Sequence, residues 1–134
     1  MANKSFNPVK KFVSAEYSKT NGDSGAAGTV TPKKTSFIPG GAIITDVVIH
    51  CTKAVTSTGT TTMKVKAGGR ESTGDILSSN VLSINTVAQP GLAGSATAVK
   101  ALEAGGLIDL VITGQVDTGD ITIHVGYFEA THHA

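Results

Sequence analysis

The feature that most constrains the fold of this chain is its division into short, strand-like segments by turns rich in glycine, proline, asparagine and aspartate, about every eight to twelve residues. Residues 63–67, MKVKA, alternate most regularly, with Met63, Val65 and Ala67 on one side and two lysines on the other. A period of two is the pattern of a β-strand with one buried face, and no segment has the period of a convincing helix. The pattern therefore predicts an all-β chain.

Further strands are predicted where apolar residues alternate or run together, in residues 9–17, 29–37, 42–51, 80–88, 96–104, 106–114 and 119–130. The segment 29–37 is expected to be an edge strand, because it contains Pro32 and proline cannot donate a hydrogen bond to a sheet. We expect residues 56–62, TSTGTTT, and residues 116–119, VDTG, to be hairpin connections. Residues 68–75 are expected to form a loop.

The stretch AIITDVVIHC, residues 42–51, has apolar residues on both of its predicted faces. Simple alternation places Ile43, Val47 and Cys51 on one face and His50 on the other. Two largely apolar faces are typical of a central strand that is covered on both sides. We therefore expect this stretch to be buried, with Cys51 as part of the core.

Composition favours the same fold class. Charged residues are only 16% of the 134 residues, below the quarter typical of globular domains, and tryptophan is absent. The Cys…Trp…Cys signature of immunoglobulin domains is therefore missing. We predict a single antiparallel two-sheet sandwich, jelly-roll-like, with about eight strands. Its expected organisation is a flexible N-terminal arm over residues 1–8, the sandwich domain over residues 9–130 and a C-terminal tail over residues 131–134.

Charge is distributed unevenly along the chain, although the formal net charge is only +1. Residues 1–70 hold ten Lys/Arg and three Asp/Glu, whereas residues 71–134 hold one Lys and seven Asp/Glu. A basic half of this kind can indicate a nucleic-acid-binding region. The same asymmetry would also allow copies of the chain to form a ring, with the basic edge of one copy against the acidic edge of the next. We favour a third interpretation, in which strands from the two halves interleave and their charges mix, so no nucleic-acid partner is expected.

The expected compartment follows from the single cysteine and from the lack of targeting patterns. Cys51 has no second cysteine with which to form an internal disulfide, so the fold does not depend on an oxidising compartment. The chain opens without the regions of a secretory signal. Asp46 and Asp109 interrupt the two most hydrophobic stretches before either reaches the length of a membrane span. We expect a soluble protein, made in a cytoplasm, with no membrane partner.

Residue types used in catalysis and metal binding are present, but their spacing supports neither. His50 lies beside Cys51, yet neighbours in a strand point to opposite faces, so the imidazole is not placed to activate the thiol. No pair of His or Cys residues has metal-ligand spacing. In GGRESTGD, Asp75 stands where a phosphate loop has its lysine. We predict no enzyme, no metal and no cofactor, and a small cupin-type enzyme is the last of three alternatives.

Sugar-binding sandwiches usually stack their ligands on exposed aromatic rings. The aromatic residues of this chain are Phe6, Phe12, Tyr17, Phe37, Tyr127 and Phe128. Most of them fall in predicted strands, where core packing is the expected role. The aromatic content therefore counts against glycan binding.

Three segments together resemble the small β-sandwich proteins of tailed-bacteriophage particles: FIPGGAIITDVVIHCTKAV, MKVKAGG and the late GDITIHVGYFEA. Those proteins share an IPxGAxIT entry to one strand and a final G-x-[IV]-T-[IV]-x-[IV]-x-[YF] strand. The resemblance covers most of residues 36–130, and its motifs describe how a sandwich is built. Proteins of this kind decorate phage heads as cement proteins, or form head-fibre and tail-fibre modules.

The resemblance implies a structural virion protein that decorates and stabilises a tailed-phage capsid by bridging neighbouring major capsid subunits. It also implies a homotrimer at the capsid surface, with the major capsid protein and further copies of the chain as partners. The basic arm and first strand are predicted to contact an acidic capsid surface through Lys4, Lys10 and Lys11. The alternative from another class is a tail-fibre or head-fibre module that binds a host receptor or glycan.

Overall fold

A computed structural model describes residues 10–68, 70–71, 81–82, 87–88 and 105–129 of the chain. These residues form ten β-strands, five of them only two or three residues long. The strands are β1 (Lys10–Ser18), β2 (Gly28–Val30), β3 (Phe37–Ile38), β4 (Ala42–Ser57), β5 (Thr62–Ala67), β6 (Arg70–Glu71), β7 (Val81–Leu82), β8 (Val87–Ala88), β9 (Gly106–Thr113) and β10 (Val116–Glu129). None of the described residues belongs to a helix that is long and apolar enough to cross a membrane.

The strands form two antiparallel sheets that enclose one core. The first sheet has the order β1-β10-β4-β7, with β8 also on β4, and the second has the order β2-β9-β5-β6, with β3 also on β9. β7 and β8 pair with β4 in one continuous register, with Leu82 opposite Val55 and Ala88 opposite Ile49. Counting β7 with β8, and β2 with β3, as interrupted strands leaves eight strand positions in the order of a jelly roll. The predicted fold class is confirmed.

The core is built from the inward side chains of both sheets, as strand alternation predicts. In β5, Met63, Val65 and Ala67 are fully buried, whereas Lys64 and Lys66 lie on the half-exposed outer face. The other fully buried large side chains are Tyr17, Ile38, Val47, Ile49, Val55, Ile108, Leu110, Ile112, Ile121 and Ile123. They come from five strands that are distant in sequence, so the core closes only when both sheets are in place.

A β-bulge in β4 corrects the predicted facing of one residue. Asp46 is the partner of Gly126 and Ile44 the partner of Tyr127, so Thr45 is an extra residue in β4. The extra residue reverses the alternation, and Ile44 rather than Ile43 packs against the core. Placing Ile43 on the same face as Val47 and Cys51 was therefore wrong.

The outer face of β4 is also less covered than predicted. Val47, Ile49 and Cys51 are buried on its inner face, but Val48 and His50 on the outer face are only half-buried. β4 was expected to be covered on both faces, but only its inner face is buried. The sandwich has two layers, so each strand has one face toward the core.

Both predicted hairpin connections were wrong, since each joins strands of different sheets. The connection after β4 crosses from the first sheet to the second at residues 58–61, and Thr56 and Ser57 still belong to the strand. The connection between β9 and β10 is only Gly114 and Gln115, and residues 116–119 lie within β10. Short polar turns therefore link the layers rather than neighbouring strands.

The remaining predicted segments have mixed outcomes. Residues 29–37 hold a short edge strand, β2, with Pro32 just after it, as expected. Arg70 and Glu71 pair with β5, so the loop predicted over residues 68–75 was wrong at these two positions. The predicted strand over residues 96–104, the arm over residues 1–8 and the tail over residues 131–134 lie outside the described residues.

Candidate functional site

The lysines predicted to contact a partner begin at the edge of the first sheet. Lys10 and Lys11 open β1, which has β10 as its neighbour on one side. Lys10 lies on the outer face with Phe12, and Lys11 follows the inward alternation of Val13 and Ala15 but is itself exposed. Lys4 lies outside the described residues. The two described lysines therefore leave the strand on opposite sides.

Lys10 is held in a cluster of side chains on the outer face. Its ammonium group lies 2.7 Å from a carboxylate oxygen of Asp46, and 5.2 Å from the ring centroid of Phe12. The hydrogen bonds from Lys10 and then Thr45 lower the pKa of the Asp46 carboxyl, so this group stays ionised and paired at neutral pH. The pair is partly exposed, so its contribution to stability is small, about 0–1 kcal/mol as for other surface ion pairs.

Gly126 of β10 leaves the space that this cluster fills. A Cβ atom at this position would lie 2.6 Å from Asp46 Oδ1, 2.8 Å from a ring carbon of Phe12 and 2.9 Å from Lys10 Cε. Three side chains from β1 and β4 therefore converge over one glycine. Phe12 nevertheless keeps 56% of its surface exposed, so the cluster presents an aromatic ring to solvent.

The edge of β1 is joined to the segment that carries β3. The backbone N–H of Glu16 donates to the carbonyl of Lys34 at 2.8 Å, and the Ser36 hydroxyl donates to the carbonyl of Ser14 at 2.7 Å. The Lys34 ammonium group also lies 3.5 Å from the Glu16 carboxylate. We name residues 10–16 and 34–38 the β1–β3 edge, since here the edge strands of the two sheets meet.

A second aromatic residue is exposed on the other side of this edge. Phe37 pairs with Leu107 across β3 and β9, and the two keep 62% and 40% of their surfaces exposed. The neighbouring Ile38 is fully buried, so Phe37 faces outward from the second sheet. The edge therefore carries one exposed phenylalanine on each outer face of the sandwich.

These exposures correct the prediction that aromatic residues pack in the core. Tyr17 and Tyr127 are buried as expected, but Phe12 and Phe37 are exposed. Phe12 falls on the polar side of the alternation in β1, and that mismatch was the signal in the sequence. Phe37 gives no such signal, because a strand of two residues has no pattern to violate.

The candidate nucleophile is buried, as the sequence predicts. Cys51 is fully buried among core side chains, and its thiol donates to the carbonyl of Lys53 at 3.1 Å. Burial raises the pKa of the thiol, so it remains protonated at neutral pH. His50 is on the other, outer face of β4.

The remaining histidine of the sheet has a structural partner. His124 lies on the outer face of β10, where its Nδ1 atom is 2.8 Å from the Ser14 hydroxyl. Among the residues that the structure describes, no three His, Cys, Asp or Glu side chains come together as metal ligands would.

Charges from the two halves of the sequence alternate across the sheets. Lys53 lies opposite Asp120 in the first sheet, and Lys66 lies opposite Asp109 in the second. β1 and β4, from the basic half, flank β10, from the acidic half. The described strands therefore interleave and mix their charges, as we expected.

Comparison with known proteins yields matches in fold but not in sequence. No protein-family model matches the chain, and no curated protein sequence matches it. A chain in the acid-stable capsid structure of Helicobacter pylori bacteriophage KHP30 is similar, with 13% identity and a TM-score of 0.54 over 92% of this chain and 90% of that one. A chain in the capsid asymmetric unit of cyanophage Pam1 has 15% identity and a TM-score of 0.55 over 96% and 91%.

A third similar chain occurs in the capsid of Ralstonia phage GP4, with 14% identity and a TM-score of 0.52 over 98% of this chain and 90% of that one. Each alignment spans about nine-tenths or more of both chains, so the three matched chains are similar in length to this one. At these identities the likeness establishes a shared jelly-roll fold.

Proposed function

We propose that this chain is a structural protein of a tailed-phage virion that decorates and stabilises the capsid by bridging neighbouring major capsid subunits. The observation that carries the proposal is the match of nearly the whole chain to chains of similar length in three phage capsids. In this proposal the protein is made in the host cytoplasm, acts as a homotrimer at the capsid surface, and has the major capsid protein as its partner.

The surface of the described residues supports a role in protein contacts. The only cysteine is buried, whereas two phenylalanines and a leucine are exposed. Exposed aromatic side chains are enriched at the centres of protein interfaces, where they provide much of the binding free energy. Lys10 lies beside Phe12 on the outer face and Lys11 is its neighbour in the strand, so the described lysines predicted to contact the capsid lie next to an apolar anchor.

The copy number of this chain in particles of its source phage tests the proposal. Quantitative mass spectrometry of purified particles would compare this chain with the major capsid protein. A ratio of the same order as the capsid protein is expected, since a bridging protein repeats with the lattice. A chain absent from particles would overturn the proposal.

The alternative is a head-fibre or tail-fibre module that binds a host receptor or glycan. The observation that favours it is Phe37, whose outward ring is the kind of surface on which a sugar stacks. Phe12 is less suited, because Lys10 already occupies one face of its ring. A handful of copies per particle, together with a hit on a glycan array that is lost in Phe37→Ala, would favour this alternative.

A further inference from the structure

The two exposed phenylalanines lie beside one edge of the sandwich but on its two opposite outer faces. Phe12 faces outward from the first sheet, over Gly126. Phe37 faces outward from the second sheet, beside Leu107. The hydrogen bond from Ser36 to Ser14 ties together the segments that carry them. A single flat surface cannot cover both rings, since the core lies between the faces that present them.

We propose that the β1–β3 edge inserts between two subunits of an acidic partner protein, with Phe12 anchored in one subunit and Phe37 in the other. The inference rests on the proposed function and specifies which part of the chain does the bridging. Phe12 has the form of an interface centre, since Lys10 and Asp46 lie beside an exposed aromatic ring. Phe37 forms an exposed apolar patch with Leu107, which suits an apolar pocket of a partner. Two anchors on opposite faces give the chain the two contacts that a bridge requires.

The charge of the edge identifies the chemistry of the partner. Lys10, Lys11 and Lys34 are on the edge itself, and Lys33 precedes Lys34. Two described carboxylates lie on the surface beside them, Asp46, which is paired with Lys10, and Glu16, which is paired with Lys34.

Asp23 is a third carboxylate near these lysines. It is buried, and its two carboxylate oxygens accept the backbone N–H groups of Ser18 and Lys33. Four lysines against three carboxylates give these described residues a formal charge of 4 − 3 = +1, and an acidic surface around each apolar pocket would complement it.

The test uses particles of the source phage from which this chain has been removed. Wild-type protein, Phe12→Ala, Phe37→Ala and the double variant would be added back, with Thr113→Ala as the matched control. Thr113 is exposed on β9, at the other end of the strand from Leu107. Cosedimentation would give the apparent Kd, and the temperature of DNA release would report whether the particle is stabilised. Circular dichroism would verify that each variant is folded.

Each single variant should bind about tenfold or more weakly, as expected for loss of an interface anchor. At saturating protein, each single variant should still occupy the particle but should no longer raise the temperature of DNA release, because one of the two contacts is lost. The double variant should not bind measurably, and Thr113→Ala should behave as wild type. Wild-type binding should also weaken as salt rises.

Three results would overturn the inference. The first is that both single variants bind the particle and raise the temperature of DNA release as much as the wild-type protein does. A smaller oligomer of either free variant would mean that a second copy of the chain occupies the anchor. If the wild-type protein itself fails to bind stripped particles, the proposed function falls with the inference, whereas normal wild-type binding with unaffected variants removes the inference alone.

Discussion

The hydroxyl group of Thr61 accepts the backbone N–H of Gln115 at 3.1 Å and donates to the carbonyl of the same residue at 3.2 Å. Thr61 is fully buried, and it lies in the connection from β4 to β5. Gln115 lies in the connection from β9 to β10. One side chain therefore joins two short connections, each of which crosses between the sheets.

Replacement of this threonine should destabilise the fold. Thr61→Val keeps the shape of the side chain but removes the partner of the Gln115 backbone N–H, which costs about 1–3 kcal/mol. The Gln115 carbonyl keeps the backbone N–H of Thr58 as a donor, at 3.3 Å. Urea unfolding would measure the loss. Thr61→Ser retains the hydroxyl and should lose much less, and equal stability of the Val and wild-type proteins would contradict the assigned role.

Gly119 should tolerate alanine poorly because two costs add at this position. Its φ is +132°, and a Cβ atom would lie 2.6 Å from the backbone Cα of Val55. Strain of this kind costs of order 1–3 kcal/mol before the clash is counted. Gly28→Ala is the matched control, since Gly28 has a φ of +124° with nothing within 4 Å. Thermal unfolding should place Gly119→Ala well below Gly28→Ala, and similar melting temperatures would show that the clash is relieved.

Tyr17 should make stability fall at alkaline pH. Burial, and then the charge of Asp23, raises the pKa of the Tyr17 phenol from 10.0 to about 12. Because the folded protein holds this proton more tightly, its contribution is complete below pH 10 and is lost as the pH rises toward 12. Unfolding followed between those values should show this loss.

Tyr17→Phe should remove that part of the alkaline dependence. It also deletes the hydrogen bond of 2.9 Å from the phenol to the carbonyl of Ser24, which costs about 0.5–1.5 kcal/mol at neutral pH. An unchanged alkaline profile in the variant would assign the loss to other groups.

The thiol of Cys51 should be unreactive in the folded protein. It is fully buried, and burial raises its pKa, so both access and the thiolate form are lacking. Labelling with a thiol reagent at neutral pH should be slow in buffer and complete in denaturant. Rapid labelling of the native protein would mean that the first sheet opens locally near β4.

Lys10 and Lys11 should matter for attachment to particles. Replacing both with alanine removes positive charge from the edge and leaves Asp46 without the ammonium group that pairs with it. The loss of binding relative to the wild-type protein should be largest at low salt, where charges are least screened. Lys64→Ala with Lys66→Ala removes the same charge from β5 and serves as the control. If the variant without Lys10 and Lys11 occupied particles as fully as the wild-type protein, these two lysines would not be part of the interface.

The sequence predicts the parts of this fold that depend on local pattern. Alternation in residues 63–67 identifies the buried face of β5, and Pro32 correctly places its segment at a sheet edge. Local pattern does not say which strand is the neighbour of which. The short polar segment of residues 116–119 is compatible both with a hairpin turn and with the start of a strand. Only the packing of the two sheets places it in β10.

The candidate site was less predictable than the fold because it depends on contacts between distant residues. The extra residue at Thr45 is invisible in the sequence, since a bulge is defined by the partner strand. Lys10 was predicted as a contact residue from its charge, but its pairing with Asp46 requires β1 and β4 to lie on either side of β10. Exposure of Phe37 likewise follows from the burial of Ile38 against β9.

The first and last strands of the sandwich are direct neighbours, with Lys10 opposite Phe128. The start of β1 and the end of β10 therefore lie side by side, next to Phe12 and the edge that we propose inserts between subunits. A cargo protein fused at either end would crowd that edge. A circular permutant that joins the two ends and opens between the exposed Gly59 and Thr60 would instead carry its cargo at the far end of the sandwich, away from the docking edge. Such a permutant would make the particle surface a display scaffold.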